Sequence, residues 1–411
     1  MGDTKSQLDT LRERIETSDD ITDDDRAALL KFDGKISLLK SRYSDSRHLK
    51  LLRHITIMAE KVGDVSDSLD DREAAERLVR WINNTYSNEE TNRDYRVALR
   101  VFGRRVSEDS GDDTPEALDW IPSSTSSNYD PAPEPSNMLD WNDDVLPMIK
   151  EARNARDAAA IALQFDAGLR GGEFEDMSVG DVTDHSHGLQ VTVSGKRGKR
   201  TVTLIPSVPY VQRWLSDHPA PTDGDAPLWS KLSKSDSLSY RMITKMFKEP
   251  AKRAGITKPV TLTNFRKSSA SYLANRGINQ AHIEEHHGWV RGSKVASRYV
   301  SVFADDADRE LARIHGLDVE EEEPERTAPH DCPRCGKQTP CDRDLCVWCG
   351  QALKPGAAEK AQSFEDIIVS SLAEASGDDA AKLLEFRDAA KDNPQFRAEA
   401  IEELEGLLDT S

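Results

Sequence analysis

Cysteine is missing from nearly the whole chain: all five lie between Cys332 and Cys349. A disulfide framework spread through the fold is excluded, and the tight clustering argues for metal instead. Long apolar runs are also missing. The longest, such as Ala158–Leu163, fall far short of the roughly 20 residues needed to cross a bilayer, so no membrane span is expected. The first residues, MGDTKSQLDTLRERIE, are charged and polar and predict no signal peptide. Strand-like alternation is scarce before residue 107, and no internal repeat is found. A soluble, cytoplasmic protein of two or three domains with real cores is the expectation at 411 residues.

Positive charge is in deficit overall, with 55 Lys and Arg against 74 Asp and Glu, a net charge of -19. The deficit is uneven. Between Val191 and Val300 there are 19 Lys and Arg against 7 Asp and Glu, a local +12 that leaves -31 for the other residues. A basic central stretch inside an acidic chain suits phosphate binding. The acidity elsewhere fits a halophilic protein kept soluble in a salt-rich cytoplasm, although acidic tails alone produce the same balance.

The pattern predicts a mainly α fold with a small β-hairpin or sheet (α+β). Residues 1–106 read as a helical domain, closing with the basic piece NRDYRVALRVFGRRV. Residues 107–137, rich in Ser, Asp and Pro, read as a flexible linker in which Trp120 and Ile121 pack locally. A mixed domain is expected over 138–315, an acidic linker over 316–330, a metal ribbon over 331–352 and an acidic helical tail over 360–411. In the tail, Phe364, Ile367, Ile368 and Leu372, then Leu383, Leu384 and Phe386, then Ile401, Leu404, Leu407 and Leu408 mark three amphipathic helices.

Within 138–315, an apolar helix near Arg156–Ala167 ends at Gly168 and runs into Gly168-Leu169-Arg170-Gly171-Gly172-Glu173. A hairpin follows, with Leu189, Val191 and Val193 alternating on one strand and Val202 and Leu204 on the other. Its turn, holding Lys196, Arg197, Lys199 and Arg200, is strongly basic. Arg241, Lys245, Lys248, Lys252 and Arg253 recur at helical spacing, either along a phosphate backbone or as a solvated face. The stretch Thr261–Tyr299 parses into three short helices. Thr263 is the expected N-cap of the first and Gly277 its stop; Gly288 ends the second; Ser293 caps the third, which carries Tyr299. Farther on, Cys332-x-x-Cys335 and Cys346-x-x-Cys349 would bring four thiolates to one tetrahedral centre, with Cys341 a non-ligand.

Arg266, Gly288-Trp289 and Tyr299, with the upstream Gly-Leu-Arg170-x-x-Glu173, resemble the tyrosine recombinase (phage integrase) family over roughly Trp141–Ala312. The string FRKSSASYLA…GWVRGSKVASRYV looks most like integrases of archaeal viruses and proviruses, and the cysteine segment resembles a short zinc ribbon. The resemblance implies a core-binding domain in 1–106 that clamps DNA, and a catalytic domain in 138–315. It implies Tyr299 as nucleophile, with Arg170 and Arg266 on the scissile phosphate and Trp289 donating to it. Glu173 would hold Arg170 or its loop, and Lys196 would be general acid with Lys199 and Arg200 as runners-up. Arg197, Lys199, Arg200, Arg241, Lys245, Lys252, Arg253 and Lys267 would bind DNA. The family's usual His, three residues before the second Arg, is here Thr263. The implied activity is site-specific recombination through a 3′-phosphotyrosyl bond, without a catalytic cofactor, by a homo-tetramer on a double-stranded DNA attachment site, nucleoid-associated through that DNA. One structural zinc per chain is expected. A catalytically impaired DNA-binding relative and a type IB topoisomerase-like enzyme are the alternatives.

Overall fold

The computed structural model describes residues 4–107, 113–129, 133–195, 198–303, 315–316 and 327–408. The chain divides into two units, Met1–Pro131 and Ala132–Ser411.

The first unit is a helical bundle of α1 (Thr4–Thr17), α2 (Asp23–Leu38), α3 (Asp45–Lys61), α4 (Arg72–Thr85) and α5 (Glu89–Val106). Short polar side chains start the later helices: Thr22, Ser44, Asp71 and Asn88 each accept a backbone N–H from the first turn that follows. Leu8, Leu11 and Ile15 of α1 pack with Phe32, Leu52, Leu78 and Phe102 into one core. The segment expected to be a free linker is largely tied down. Leu118 and Ile121 join that core, and Arg96 and Arg100 of α5 donate to carbonyls of residues 118–124. A Ser- and Pro-rich stretch cannot build a core, but two arginines satisfy its carbonyls and fix it.

The second unit is built around α6 (Ala155–Ala167), which is buried over most of its length. Against it lie α7 (Gly171–Glu175), a meander of β1 (Val182–His185), β2 (Gly188–Gly195) and β3 (Gly198–Leu204), then α8 (Val208–Asp217) and α9 (Tyr240–Arg253). The alternating apolar residues of the hairpin face inward as expected: Leu189, Val191, Val193, Val202 and Leu204 are all buried. Gly195 pairs with Gly198, the last described pair of the hairpin. Lys196 and Arg197 themselves lie outside the described residues.

Three helices complete the layer: α10 (Leu262–Asn275), α11 (Gln280–His287) and α12 (Lys294–Phe303). The cap of α10 is Thr261, whose hydroxyl accepts from Asn264 N–H at 3.1 Å, and not Thr263. Thr263 sits inside the first turn, exposed, because Leu262 is already helical and buried. Gly288 ends α11 in the left-handed conformation, and Ser293 accepts from Val295 and Ala296 at the start of α12. The end of the expected linker is again anchored: Asn264 donates to Asn137 O and Leu139 donates to Ser268 Oγ.

Beyond Thr327, two-residue strands β4 (His330–Asp331) and β5 (Gln338–Thr339) pair beside the cysteine segment. Helices α13 (Ala357–Glu374), α14 (Asp378–Asp392) and α15 (Pro394–Leu408) follow. Leu345 of the ribbon shares a core with Phe364, Ile368, Ala390 and Ile401. The tail departs from its expected faces: Ile367, Leu384 and Phe386 are exposed, and Ala390 is what α14 buries. The side chains of Leu404, Leu407 and Leu408 lie outside the described residues. No helix among the described residues is long and apolar enough to cross a membrane.

Candidate active site

Arg170 is placed by the way α6 ends. Gly168 takes φ +54° and caps the helix by donating to Gln164 O. A Cβ there would lie 2.6 Å from His287 Nε2, so the turn requires glycine twice over. Arg170 then stands at the N-cap of α7, its N–H donating to Glu173 at 2.9 Å. Its guanidinium donates to Glu173 Oε1 at 2.6 Å and to Gly288 O at 2.8 Å, and remains about one third exposed.

Glu173 is buried at the centre of this arrangement. Besides Arg170 it receives both terminal nitrogens of Arg200, at 2.8 and 2.9 Å. Burial alone would push its carboxyl up, but the hydrogen bonds from Arg200 and Arg170 outweigh that and hold it down at about 2. The hairpin end runs directly against it: a Cβ on Gly195 would meet Glu173 Oε1 at 2.5 Å.

Arg266 enters from α10 and is buried. It donates to Gly168 O at 2.6 Å and to His287 O. Burial, then the neighbouring charge of Arg170, pulls its guanidinium down to about 9, still cationic at neutral pH. The end of α11 therefore serves three arginines at three consecutive carbonyls. Arg200 Nε reaches His286 O at 3.4 Å, Arg266 reaches His287 O, and Arg170 reaches Gly288 O. A helix C-terminus carries partial negative charge on its unpaired carbonyls, so cations are held there by dipole and hydrogen bond together.

From the same turn an aromatic stack runs outward. His287 and Trp289 stack at 4.8 Å and 16°, and Trp289 and Tyr299 at 5.5 Å and 9°. The guanidinium of Arg266 lies over the Trp289 ring at 5.1 Å. Tyr299 is buried, with Ala270, Ala274 and Ile283 around it. Burial raises its phenol pKa, while Arg266 and Arg298 pull the other way. Glu284 fixes the approach of α12 by accepting from Gly292 and Ser293.

The fold thus gathers Arg170, Glu173, Arg266, Trp289 and Tyr299, which the sequence disperses over 130 positions. Thr263 stays exposed in the first turn of α10, and Lys199 and Lys267 are exposed. Arg241, Lys245, Lys248 and Lys252 form one exposed stripe along α9, whereas Arg253 is drawn to the Glu151 carbonyl. Arg200, expected in a basic turn, is largely covered and turned onto Glu173.

Three groups escaped the sequence reading. Asp166 accepts from Ile205 N–H and from both N–H and hydroxyl of Ser207, and burial raises its carboxyl to about 6. His286 meets the Asp166 carbonyl at 2.9 Å and is pushed down to about 4 by burial. His287 lies fully buried against Ser269, its pKa far below the usual value for the same reason. The adjacent pair of histidines just before Gly288-Trp289 was the available signal.

Away from this site, the Sγ atoms of Cys332, Cys335, Cys346 and Cys349 lie within 4.8 Å of one another. The two diagonal approaches are 3.6 Å (Cys332–Cys349) and 3.7 Å (Cys335–Cys346). Four thiolates around one zinc at about 2.3 Å would stand about 3.8 Å apart, so the set can hold such an ion. Each knuckle turns at a left-handed glycine: Gly336 donates to Cys332 O and Gly350 to Cys346 O. Cys341 is outside the cluster.

Comparison with known proteins agrees with this geometry. The model of the phage integrase family matches residues 141–305. Tyrosine recombinase XerC from Vibrio vulnificus (strain YJ016) is 25% identical over 130 residues, 32% of this chain and 41% of that protein. The chain thus spans less than half the length of the curated relatives it matches. A crystal structure of a lambda integrase dimer bound to a COC′ core site superposes with a TM-score of 0.53 at 15% identity, covering 72% of this chain and 79% of that one. The Tn1549 transposon integrase, in complex with transposon right end DNA, gives 0.52 at 14% identity, covering 70% and 99%. These structural likenesses establish a shared fold.

Proposed function

Residues 141–305 form a domain of the phage integrase family, the tyrosine recombinases, and from this premise we propose that the protein is a site-specific recombinase that cuts and rejoins DNA. The observation that carries the proposal is the meeting of three guanidinium groups with a tyrosine stacked on Trp289, at the end of one helix. Tyr299 Oη forms a bond to the scissile phosphorus and the bond to the 5′ oxygen breaks, leaving a 3′-phosphotyrosyl link. Such a link splits a hard step into two easier ones and keeps the ester energy for rejoining. Arg170 and Arg266 present planar forks to the non-bridging oxygens, where negative charge gathers in the transition state. Lys196 protonates the departing 5′ oxygen. Thr263 can hydrogen-bond a phosphate oxygen but accepts no proton near neutral pH, so water takes the phenol's proton. No step needs a metal.

The partner is a double-stranded attachment site, bound by a homo-tetramer. The helical first unit clamps the duplex, and the basic stripe of α9 with Lys199 and Lys267 meets backbone phosphates. The protein acts in the cytoplasm, on the nucleoid. One zinc per chain, held by Cys332, Cys335, Cys346 and Cys349, would fasten the ribbon and take no part in cleavage.

The deciding experiment traps the covalent adduct on a nicked or bridging-phosphorothiolate duplex carrying the attachment site, in the presence of chelator. The adduct is expected to map to Tyr299, and Tyr299→Phe is expected to bind the duplex yet form none. Cleavage by Tyr299→Phe, or an adduct at Tyr272 or Tyr210, overturns the nucleophile. A wild type that binds the site but never forms an adduct favours a DNA-binding role alone.

A further inference from the structure

We infer that Arg200 is a positioning residue for the recombinase centre, and not a ligand of DNA phosphate. The inference rests on the proposed function and deepens it. Arg200 sits on β3 opposite Val193, two pairs in from the end pair Gly195–Gly198. A basic residue there could reach outward to a duplex, yet its side chain is only 15% exposed. Both of its terminal nitrogens are engaged with Glu173, at 2.8 and 2.9 Å, and its Nε points to His286 O at 3.4 Å.

Each of those acceptors is shared with an arginine of the phosphate site or adjoins one that is. Glu173 also takes Arg170, through side chain and backbone. His286 O precedes the carbonyls that take Arg266 and Arg170. Arg200 therefore joins three chain segments, α7, the hairpin and the end of α11, at the point where the guanidinium forks are aimed. It also supplies the charge that keeps Glu173 ionised, which a carboxylate so buried needs. With Arg200 satisfying Glu173, Arg170 keeps one edge of its fork exposed to an incoming phosphate. Packing leaves no slack: a Cβ on Gly288 would lie 2.9 Å from Arg200 Cδ and Nε, and one on Gly195 would lie 2.5 Å from Glu173 Oε1.

A phosphate ligand and a positioning residue differ in salt dependence. Removing one phosphate contact lowers the slope of log K against log salt by about 0.9. Misplacing a catalytic group by about 1 Å costs rate, on the order of 100-fold, without touching that slope. Arg200→Ala and Arg200→Lys are expected to bind the duplex with the wild-type slope while forming adduct about 100-fold more slowly. Lysine fails to rescue because a single ammonium cannot bridge both carboxylate oxygens. Gly195→Ala, which pushes on Glu173 and removes no charge, is expected to reproduce the slow rate with the slope intact, and serves if Arg200→Ala does not fold. A reduced slope in Arg200→Ala, or adduct formation at the wild-type rate, overturns the inference.

Guanidinium NMR of the DNA-free protein separates this inference from the functional reading. Slowed, shifted N–H signals from Arg200 are expected, and Glu173→Gln is expected to release Arg200 and Arg170 together. If the wild type forms no adduct, the functional reading fails while these signals still report on Arg200. If the Arg200 signal is that of a solvated side chain, the positioning role fails whatever the enzyme does.

Discussion

The guanidinium cluster and the thiol cluster each collect groups of one kind that would repel one another when charged, and they resolve the repulsion in opposite ways. Arg170, Arg200 and Arg266 are held by one buried carboxylate and by backbone carbonyls that the fold already supplies. Nothing from outside is required, and one edge stays open for an anion. The four cysteines are reached by a few N–H and hydroxyl contacts, and their sulfurs, with approaches of 3.6 and 3.7 Å, form a set that could hold a metal ion. On the proposed reading, the site that receives a charged substrate is completed by protein groups, whereas the cysteine set is one that a metal ion could complete.

Stripping the metal should give the largest effect. Structural zinc contributes roughly 10–16 kcal/mol to small ribbons, so Cys346→Ser is expected to lose the ion and melt the ribbon, together with the core that Leu345 shares with the tail helices. Metal analysis with hydrogen exchange over 331–403 checks this; Cys341→Ser, outside the cluster, keeps one ion per chain. Loss of adduct formation on chelation, with the catalytic domain folded and DNA-bound, would end the contrast.

Arg266→Ala comes next. It is expected to slow adduct formation by two to three decades, about 3–4 kcal/mol of transition-state stabilisation, in single-turnover kinetics. Two buried carbonyls also lose their donor, so the melting temperature falls with it.

Acid should then separate Glu173 from ordinary surface carboxylates. Its folded pKa of about 2 lies below the unfolded value of 4.5. The stabilisation, on the order of 3 kcal/mol, is therefore full above about pH 5 and lost as pH falls through 2. The melting gap between wild type and Glu173→Gln is expected to be widest at neutral pH and to close in strong acid. A gap that does not vary with pH would mean the two arginines do not hold the carboxylate.

The smallest effect belongs to the start of α10. Thr261→Ala should cost about 1 kcal/mol through the lost cap. Thr263→His should leave stability nearly unchanged, which makes it a clean probe of chemistry: a faster adduct rate means the missing imidazole matters to proton transfer.

Much of this was legible in the residues. Gly168, Gly288 and Ser293 announced helix ends through backbone chemistry local to each, and the two Cys-x-x-Cys pairs announced one centre. Arg170 and Arg266 were legible through the family's motif. What stayed hidden was decided by contacts distant in sequence. Arg200 looked like one more charge in a basic turn because its partner, Glu173, is 27 positions away. Residues 113–124 read as a linker with only Trp120 and Ile121 packed, because the arginines that tie down its carbonyls lie in α5. Thr263 reads as the cap from sequence alone, and it is the burial of Leu262 inside the first turn that moves the cap to Thr261.

The three carbonyls that end α11 also bear on heredity. A side-chain acceptor can be lost to one base change, but a peptide carbonyl is present whatever residue is encoded. The oxygens of His286, His287 and Gly288 therefore hold three arginines with atoms that no codon specifies. Drift at these positions is restrained by what the side chains pack against and by the left-handed turn at Gly288, not by any need to keep an acceptor. An alignment scanned for residues that co-vary with Arg170, Arg200 and Arg266 would find Glu173 and pass over these three acceptors.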